Sequence, residues 1–376
     1  MRVFLLPAVA LLLLSIVSWP LGAAGQAAQS AIVSTEFIYD RGPYPQVHAS
    51  TLVETTSGRL IAAWFGGTEE GHPDVSIWVA RHENGSGQGR WSPAVKVADG
   101  VQNAATRHPT WNPVLFQPRG GPLMLFYKVG PSPREWWGMV ITSGDDGRTW
   151  SAPRRLPEGI LGPIKNKPVQ LADGTIVAGS STEAVDTDAW RVHVERSRDL
   201  GRTWERVGPL GDGGFNAIQP GILLHSDGRL QLLCRSKEMH VPTSWSSDGG
   251  RTWTPLAASG LYAVNSGSDA LTLQDGRHVL VYNHRDQLGG APANYQPGTL
   301  AGIAGAPTGV RARWPLVVTV SRDGVAWKPA LTLDDAPLRH GYAYPAVIQT
   351  RDGRIHVTYT FDRQKIKHVV IDPARL

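Results

Sequence analysis

The sequence contains a single cysteine, Cys234, so no disulfide can form within the chain and the fold must be held by its core. That thiol follows the apolar run 230–233, where a buried, inert cysteine is expected. Charge is sparse: 18% of residues are charged against 41% hydrophobic, which excludes a disordered polyelectrolyte. No Lys/Arg run reaches the density of a nucleic-acid patch, so no nucleic-acid partner is expected, while the net charge of +5 suits an anionic ligand. Past the N-terminus no stretch is apolar enough to span a bilayer. Residues 1–28 read as an export signal, with Arg2, an apolar stretch over 3–21 and the small residues Gly22, Ala23, Ala24 and Ala27. A secreted or periplasmic protein follows, without stable membrane insertion after cleavage; an uncleaved anchor is the alternative.

Glycine, proline and tryptophan are plentiful instead (42, 28 and 14 residues), which points to many turns and many short strands. One pattern organises residues 30–376. Ser143-Gly-Asp145-Asp-Gly147-Arg-Thr149-Trp150 recurs at Ser197 to Trp204 and at Ser246 to Trp253, and a shortened copy runs from Ser321 to Trp327. Trp91 in Gly89-Arg90-Trp91-Ser92 is the remnant of another. The copies lie about 50 residues apart, the last interval about 75, the size of one four-stranded blade. A second repeat interleaves: apolar strands broken at Ser57-Gly58, Gly120-Gly121, Asp173-Gly174, Asp227-Gly228, Asp275-Gly276 and Asp352-Gly353. Glycine accepts the positive φ that a tight hairpin needs, so six hairpins predict six blades of an all-β propeller. A strand within 30–40 is expected to close the ring against residues 357–359 or 366–371.

In a blade of strands A to D, the A–B hairpins and C–D turns share one face. The opposite face collects the starts of the A strands, near His48, Asn112, Lys167, Gln219, Asp269 and Tyr344. It also collects the ends of the B strands, near Phe65, Lys128, Ser181, Arg235, Asn283 and Tyr359. These rings are polar, and irregular loops on a rigid scaffold are where function concentrates. The Ser and Asp of the repeated turn satisfy local backbone N–H groups, Gly takes the left-handed position and Trp packs between blades, so the turn is neither a metal site nor a catalytic carboxylate. No metal and no cofactor are expected.

The repeated turn is an Asp box, and Asp boxes on a six-bladed propeller resemble the sialidase (neuraminidase) superfamily over roughly residues 35–376. That resemblance implies an arginine clamp on a sugar carboxylate, a tyrosine nucleophile assisted by a glutamate, and an aspartate as acid/base. Gln219-Pro220 through Asp227-Gly228 to Arg235 resembles the second-arginine segment, with Arg235 in the arginine's place. Arg313-Trp-Pro-Leu316 resembles the third-arginine segment, and Tyr344-Pro-Ala-Val347 the nucleophile segment. Asp74 lies in the first-blade loop where the acid/base belongs, with Glu69 and Glu70 as rivals. Two positions depart: counting back from Gly58 places His48 where the first arginine stands, and Gln219 replaces the glutamate and cannot take a proton.

The resemblance implies a secreted exo-glycosidase that hydrolyses a terminal acidic sugar, sialic acid or similar, from an acidic glycan. Tyr344 attacks, Asp74 protonates the leaving group, and Arg235, Arg313 and His48 hold the carboxylate, with Lys167, Asn112, Asp269 and Asn283 around the substrate. Two alternatives stay open: a uronic-acid-glycan hydrolase or lyase working through His48 and Tyr344, and a non-catalytic acidic-glycan binder. Each residue also has a structural alternative. Arg235 and Arg313 could pair with Asp269 or Asp74, Tyr344 could be a packed aromatic, and His48 a hydrogen-bonded strand end. The lysines of Lys165-Asn166-Lys167 could be solvated, and Trp136-Trp137 buried within the blade rather than a sugar-stacking surface. Asn84-Gly-Ser86 fits a glycosylation acceptor but is too common a pattern to use.

Overall fold

The structure, a computed structural model, describes residues 30–83, 89–285 and 313–376; the export-signal segment and Asn84-Gly-Ser86 lie outside the described residues. Residues from Ala31 onward form six four-stranded antiparallel sheets arranged as the blades of a β-propeller. The inner (A) strands are Gln46–Glu54, Thr110–Phe116, Val169–Gln170, Ala217–Leu224, Asp269–Thr272 and Tyr342–Gln349. The ring closes as the sequence implies: Ile32–Phe37 is the outer strand of the last blade and pairs antiparallel with Lys365–Ile371. Closure of this kind removes the long exposed edges that would pair with other chains. Among the described residues the only helix is the 3-10 turn Pro373–Arg375, and none is long and apolar enough to cross a membrane.

The core lies between blades. Ile61 and Phe65 of the first blade pack with Leu115 and Leu125 of the second, and Val177 of the third with Ile222 and Leu232 of the fourth. Cys234 is fully buried in that second cluster, where loss of hydration pushes its thiol far above the usual range. The tryptophans of the repeated turn reach back over the preceding blade. Trp204 meets Phe126 edge-on at 6.0 Å, Trp150 packs on the cluster holding Ile61, and Trp253 on that holding Val177. Trp91 does the same against the last blade, donating to Glu36 Oε1 at 2.9 Å and meeting His368 edge-on.

Strand pairing fixes the two faces. Ser143, Ser197, Ser246 and Ser321, which open the repeated turns, pair with Leu123, Ile176, Leu230 and His278, which follow the hairpin glycines. Both sets of turns therefore share one face, and the A-strand starts lie at the other. Within each turn the hydroxyl and carboxylate serve the backbone: Ser143 Oγ donates to Asp145 Oδ1 and accepts Gly147 N–H, and Asp145 accepts Arg148 N–H, Thr149 N–H and Thr149 Oγ1–H. The Thr149 bonds hold the Asp145 carboxyl far below its ordinary range. In Asp199 and Asp248 burial acts upward, but the bonds from Thr203 and Thr252 prevail and lower both to about 2.

Candidate active site

Four inner strands break register at one place, His48/Thr51, Trp111/Val114, Ile218/Gly221 and Ala343/Ala346, and each bulge holds a non-glycine residue in the left-handed region. These are Ala49 (φ 55°), Asn112 (φ 36°), Gln219 (φ 56°) and Tyr344 (φ 52°). Proline follows three of them, which an inner strand tolerates because its free edge faces the channel and the bulge has already interrupted pairing. A bulky aromatic at positive φ stores strain, and such strain collects at functional sites. Two of these bulges bring their side chains together, Gln219 Nε2 lying 3.1 Å from the Tyr344 hydroxyl.

Tyr344 is the centre of what they bring together. Its hydroxyl accepts from Arg235 Nη1 at 2.7 Å and from Gln219 Nε2 at 3.1 Å. Arg235 Nε donates to Asn265 Oδ1 at 2.5 Å, and the guanidinium lies 5.1 Å from the Trp190 ring, so the arginine is held on both sides. Three cations surround the phenol ring: Lys165 Nζ and Arg313 Cζ at 5.8 Å from its centre, and Arg235 Cζ at 5.9 Å. Among the described residues no carboxylate hydrogen-bonds to Tyr344. The His48 ring stands 4.2 Å from the Tyr344 ring, with Nδ1 3.0 Å from Thr360 Oγ1. Ala49 N–H donates into that same hydroxyl oxygen, which leaves the Thr360 hydrogen available to the imidazole.

Lys165 is buried, not solvated. Its ammonium donates to the carbonyls of Ser268, at 3.0 Å, and of Pro345, the residue after the strained tyrosine. Burial pulls its pKa down to about 7; Asp269 opposes the shift, while Lys167 and Arg235 add to it. Lys167 and Asp269 pair with each other at 2.9 Å, and Asp269 also accepts Val347 N–H, so this pair braces the last two inner strands. Asn283 Nδ2 donates to the Tyr342 carbonyl at 2.9 Å, another brace. Asn112 is buried at its bulge. Gly267 supplies room: a Cβ there would stand 3.2 Å from the Tyr344 ring and 3.3 Å from Gln219 Oε1.

Asp74 lies apart from this cluster, on the first-blade loop between Leu60–Gly67 and Ser76–Arg81. It accepts from Thr68 Oγ1 at 2.7 Å and sits 2.7 Å from His72 Nδ1. Burial raises its pKa, but the Thr68 and His72 bonds outweigh that and leave the carboxyl below its ordinary range. The loop is tied down on both sides, by Glu70 to Arg363 at 2.7 Å and by Val75 O to Thr110 N–H at 3.2 Å. Glu70 is thereby engaged in an ion pair.

Trp190, Asn265 and Gly267 escaped the sequence reading, and Lys165 entered it only as one cation of the Lys165-Asn166-Lys167 run, without a role at the tyrosine. A signal for two of them was present: Ala49, Asn112, Gln219 and Tyr344 each stand nine residues before a turn glycine (Gly58, Gly121, Gly228, Gly353), and the same count from Gly174 and Gly276 reaches Lys165 and Gly267. It also places Ala49, not His48, at the bulge of the first blade; His48 enters from one residue upstream. A cavity of about 640 Å³ around Arg277, Asp323 and Lys328 belongs to the opposite face, at the turn of the fifth blade.

Residues 58–357 match the profile of the BNR repeat-like domain. Among solved structures the chain is similar to a protein of unknown function from Dyadobacter fermentans, at 17% identity and a TM-score of 0.69, covering 90% of this chain and 98% of that one. It is similar also to the Hadza microbial sialidase Hz136, at 17% identity and a TM-score of 0.71, covering 90% and 68%. A third, the intramolecular trans-sialidase from Ruminococcus gnavus, aligns at 13% identity and a TM-score of 0.66, covering 92% and 99%. No curated protein matches the sequence.

Proposed function

Since the chain belongs to the BNR repeat-like domain family as a divergent sialidase-like propeller, we propose that it is an exported exo-glycosidase that releases a terminal acidic sugar from a glycan. The observation that carries this reading is the Tyr344 hydroxyl, which accepts Arg235 and Gln219 donors inside a shell of three cations. Arg235 and Arg313 offer planar forks to a sugar carboxylate, and Lys165 adds positive charge behind them. A neutral phenol approaches an anomeric carbon beside that carboxylate without the repulsion a carboxylate nucleophile would meet; tyrosine nucleophiles are a recognised exception to the two-carboxylate scheme. In the first step the Tyr344 oxygen bonds the anomeric carbon as the glycosidic C–O bond breaks, and the phenol proton passes to water while Arg235 steadies the oxygen; the His48 imidazole, accepting from Thr360 at Nδ1, carries its own proton on Nε2 and packs on the ring. The leaving oxygen takes its proton from Asp74, on the first-blade loop, whose carboxyl is placed by its contacts with Thr68 and His72. Water, with Asp74 as base, then cleaves the tyrosyl glycosidic bond at the anomeric carbon, and the released phenolate takes back a proton from water.

A second reading, a binder of acidic glycans, is favoured by Gln219, which donates to Tyr344 and has no site to take its proton. Fluorogenic 4-methylumbelliferyl glycosides of N-acetylneuraminic acid and of glucuronic acid separate the two. Turnover of either by the parent, abolished in Tyr344→Phe, supports the enzyme. Binding of the free acid sugars with turnover of neither leaves the binder.

A further inference from the structure

The inner strand of the third blade, Val169–Gln170, is the shortest of the six, and residues 161–168 before it run outside the sheet. Buried side chains hold that run where strand pairing does not. Glu195 accepts the N–H groups of Leu161 and Gly162 at 2.9 and 2.6 Å, His193 Nε2 lies 2.9 Å from the same carboxylate, and Lys128 donates to the Pro163 carbonyl. All three side chains are fully buried. From this anchored run two side chains reach three other blades. Asn166 Nδ2 donates to the carbonyl of Gln219 at 3.0 Å, and Lys165 Nζ donates to the carbonyls of Ser268, at 3.0 Å, and of Pro345. Gln219 is a bulge residue of the fourth blade, and Pro345 follows the strained Tyr344 of the sixth. Lys165 Nζ is also one of three cations about the Tyr344 ring, with Arg235 and Arg313, and the His48 ring packs there at 4.2 Å. Burial brings the Lys165 pKa down to about 7, opposed by Asp269, while Lys167 and Arg235 add to the shift. The two arginines stay charged at every pH a protein meets, so Lys165 is the cation of the three whose charge changes near neutrality.

We propose that Lys165 is a positioning residue that sets Tyr344 in its strained conformation and acts as a proton switch on the site, which accepts an anionic sugar while the ammonium is in place and loses it as the amine forms. The proposal rests on the functional reading above for its ligand, but not for the clamp on Tyr344. An ammonium has three donors, two of which the carbonyls take, and both bonds are charge-assisted. The neutral amine keeps two donors without the charge, and the shell around the phenol falls from three cations to two. A carboxylate bound in that shell favours the ammonium, so binding takes up a proton and affinity falls as pH rises through about 7.

The test has a ligand-free arm and a ligand arm. In the first, the protein carries isotope-labelled tyrosine, and the ring resonance that Tyr344→Phe removes is followed by NMR across neutral pH. In the parent it is expected to shift with a midpoint near pH 7. In Lys165→Arg and Lys165→Met, each checked for folding by its melting temperature, that step is expected to vanish. No step in the parent would overturn the switch, and so would a step that persists in both variants and therefore belongs to another group, His48 first. In the second arm, N-acetylneuraminic acid and glucuronic acid are titrated by calorimetry. The parent is expected to lose about tenfold in affinity for at least one of them between about pH 6 and about pH 8, Lys165→Arg no more than about twofold, and Lys165→Met should bind weakly throughout. An equal loss in the parent and Lys165→Arg would overturn the switch and leave the sugar site standing. A Tyr344 step that depends on Lys165, in a protein that binds neither sugar, keeps the switch and removes the acidic-sugar reading.

Discussion

The two faces of the propeller use left-handed backbone in opposite ways. On the turn face it serves the fold: Gly147, Gly201 and Gly250 take positive φ, and the residues before them, Asp146, Leu200 and Gly249, share it as tight surface turns require. There each aspartate spends its hydrogen bonds within its own turn, as Asp145 and Asp199 do. On the channel-mouth face the same conformation falls on buried Gln219 and Tyr344, where no tight turn demands it and glycine would relieve it. The polar groups there bond across blades: Lys165 to Pro345, Gln219 and Arg235 to Tyr344, Lys167 to Asp269. A face whose polar groups are satisfied locally holds the scaffold. One whose polar groups converge from several blades onto a strained residue has the arrangement of a site, and the proposed chemistry is put there.

Mutations on the two faces should therefore separate activity from stability. The largest effect is expected at Tyr344: Tyr344→Phe should lower kcat by at least ~10³-fold while a bound acidic sugar keeps its affinity within about tenfold, as burst and equilibrium titrations would show. Turnover at the parental rate would move the chemistry to His48 or the first-blade loop. Next comes Arg235→Ala, expected to weaken acidic-sugar binding by roughly 1.5–3 kcal/mol, with Arg235→Lys recovering only part because a point charge cannot replace the fork. On the turn face, Trp204→Ala should lower stability by roughly 2–3 kcal/mol, less than the ~3–5 of a fully buried aromatic because Trp204 is half-buried. Its KM should not move, and a KM change at unaltered melting temperature would join the turn to the site.

The last expected effect, on neither face's polar network, is acid sensitivity. Burial lowers the pKa of His356 to about 3, with His368 adding to it, and that of His278 to about 4, with His225 adding to it. His356 Nδ1 lies 2.9 Å from His368 Nε2 at the ring closure, and His368 in turn meets Glu36. In the unfolded chain these imidazoles titrate near ~6.5, so the stability from their neutral forms is complete above that pH. It is lost as pH falls from ~6.5 toward 4 and then 3, because the unfolded chain takes up protons that the native rings resist. Melting temperature should decline over that window, and His356→Gln should flatten the decline; an equal slope in the variant would place the sensitivity elsewhere.

The propeller was legible because its signals are local. The Ser-Asp-Gly-Thr-Trp spacing sets each C–D turn, the Asp-Gly dipeptides set the A–B hairpins, and strand parity sends Tyr344, Gln219 and Arg235 to one face. What stayed hidden depends on packing between blades. Nothing near Lys165 in the chain shows that Glu195, accepting the N–H groups of Leu161 and Gly162, anchors the segment that buries it. Trp190 reads as an ordinary strand residue until Arg235 lies over it. His48 stood in the count because the resemblance sets the first-arginine position ten residues before the turn glycine, whereas the bulge residue of each blade stands nine before it.

Calorimetric titration of the parent and of Arg235→Ala, with N-acetylneuraminic acid and glucuronic acid each set against its methyl ester, tests most directly whether the cationic shell around Tyr344 is a carboxylate site. The expected result is that at least one acid binds the parent about tenfold or more tightly than its ester, and that Arg235→Ala loses the preference. Equal binding of acid and ester by the parent, for both sugars, would contradict the account.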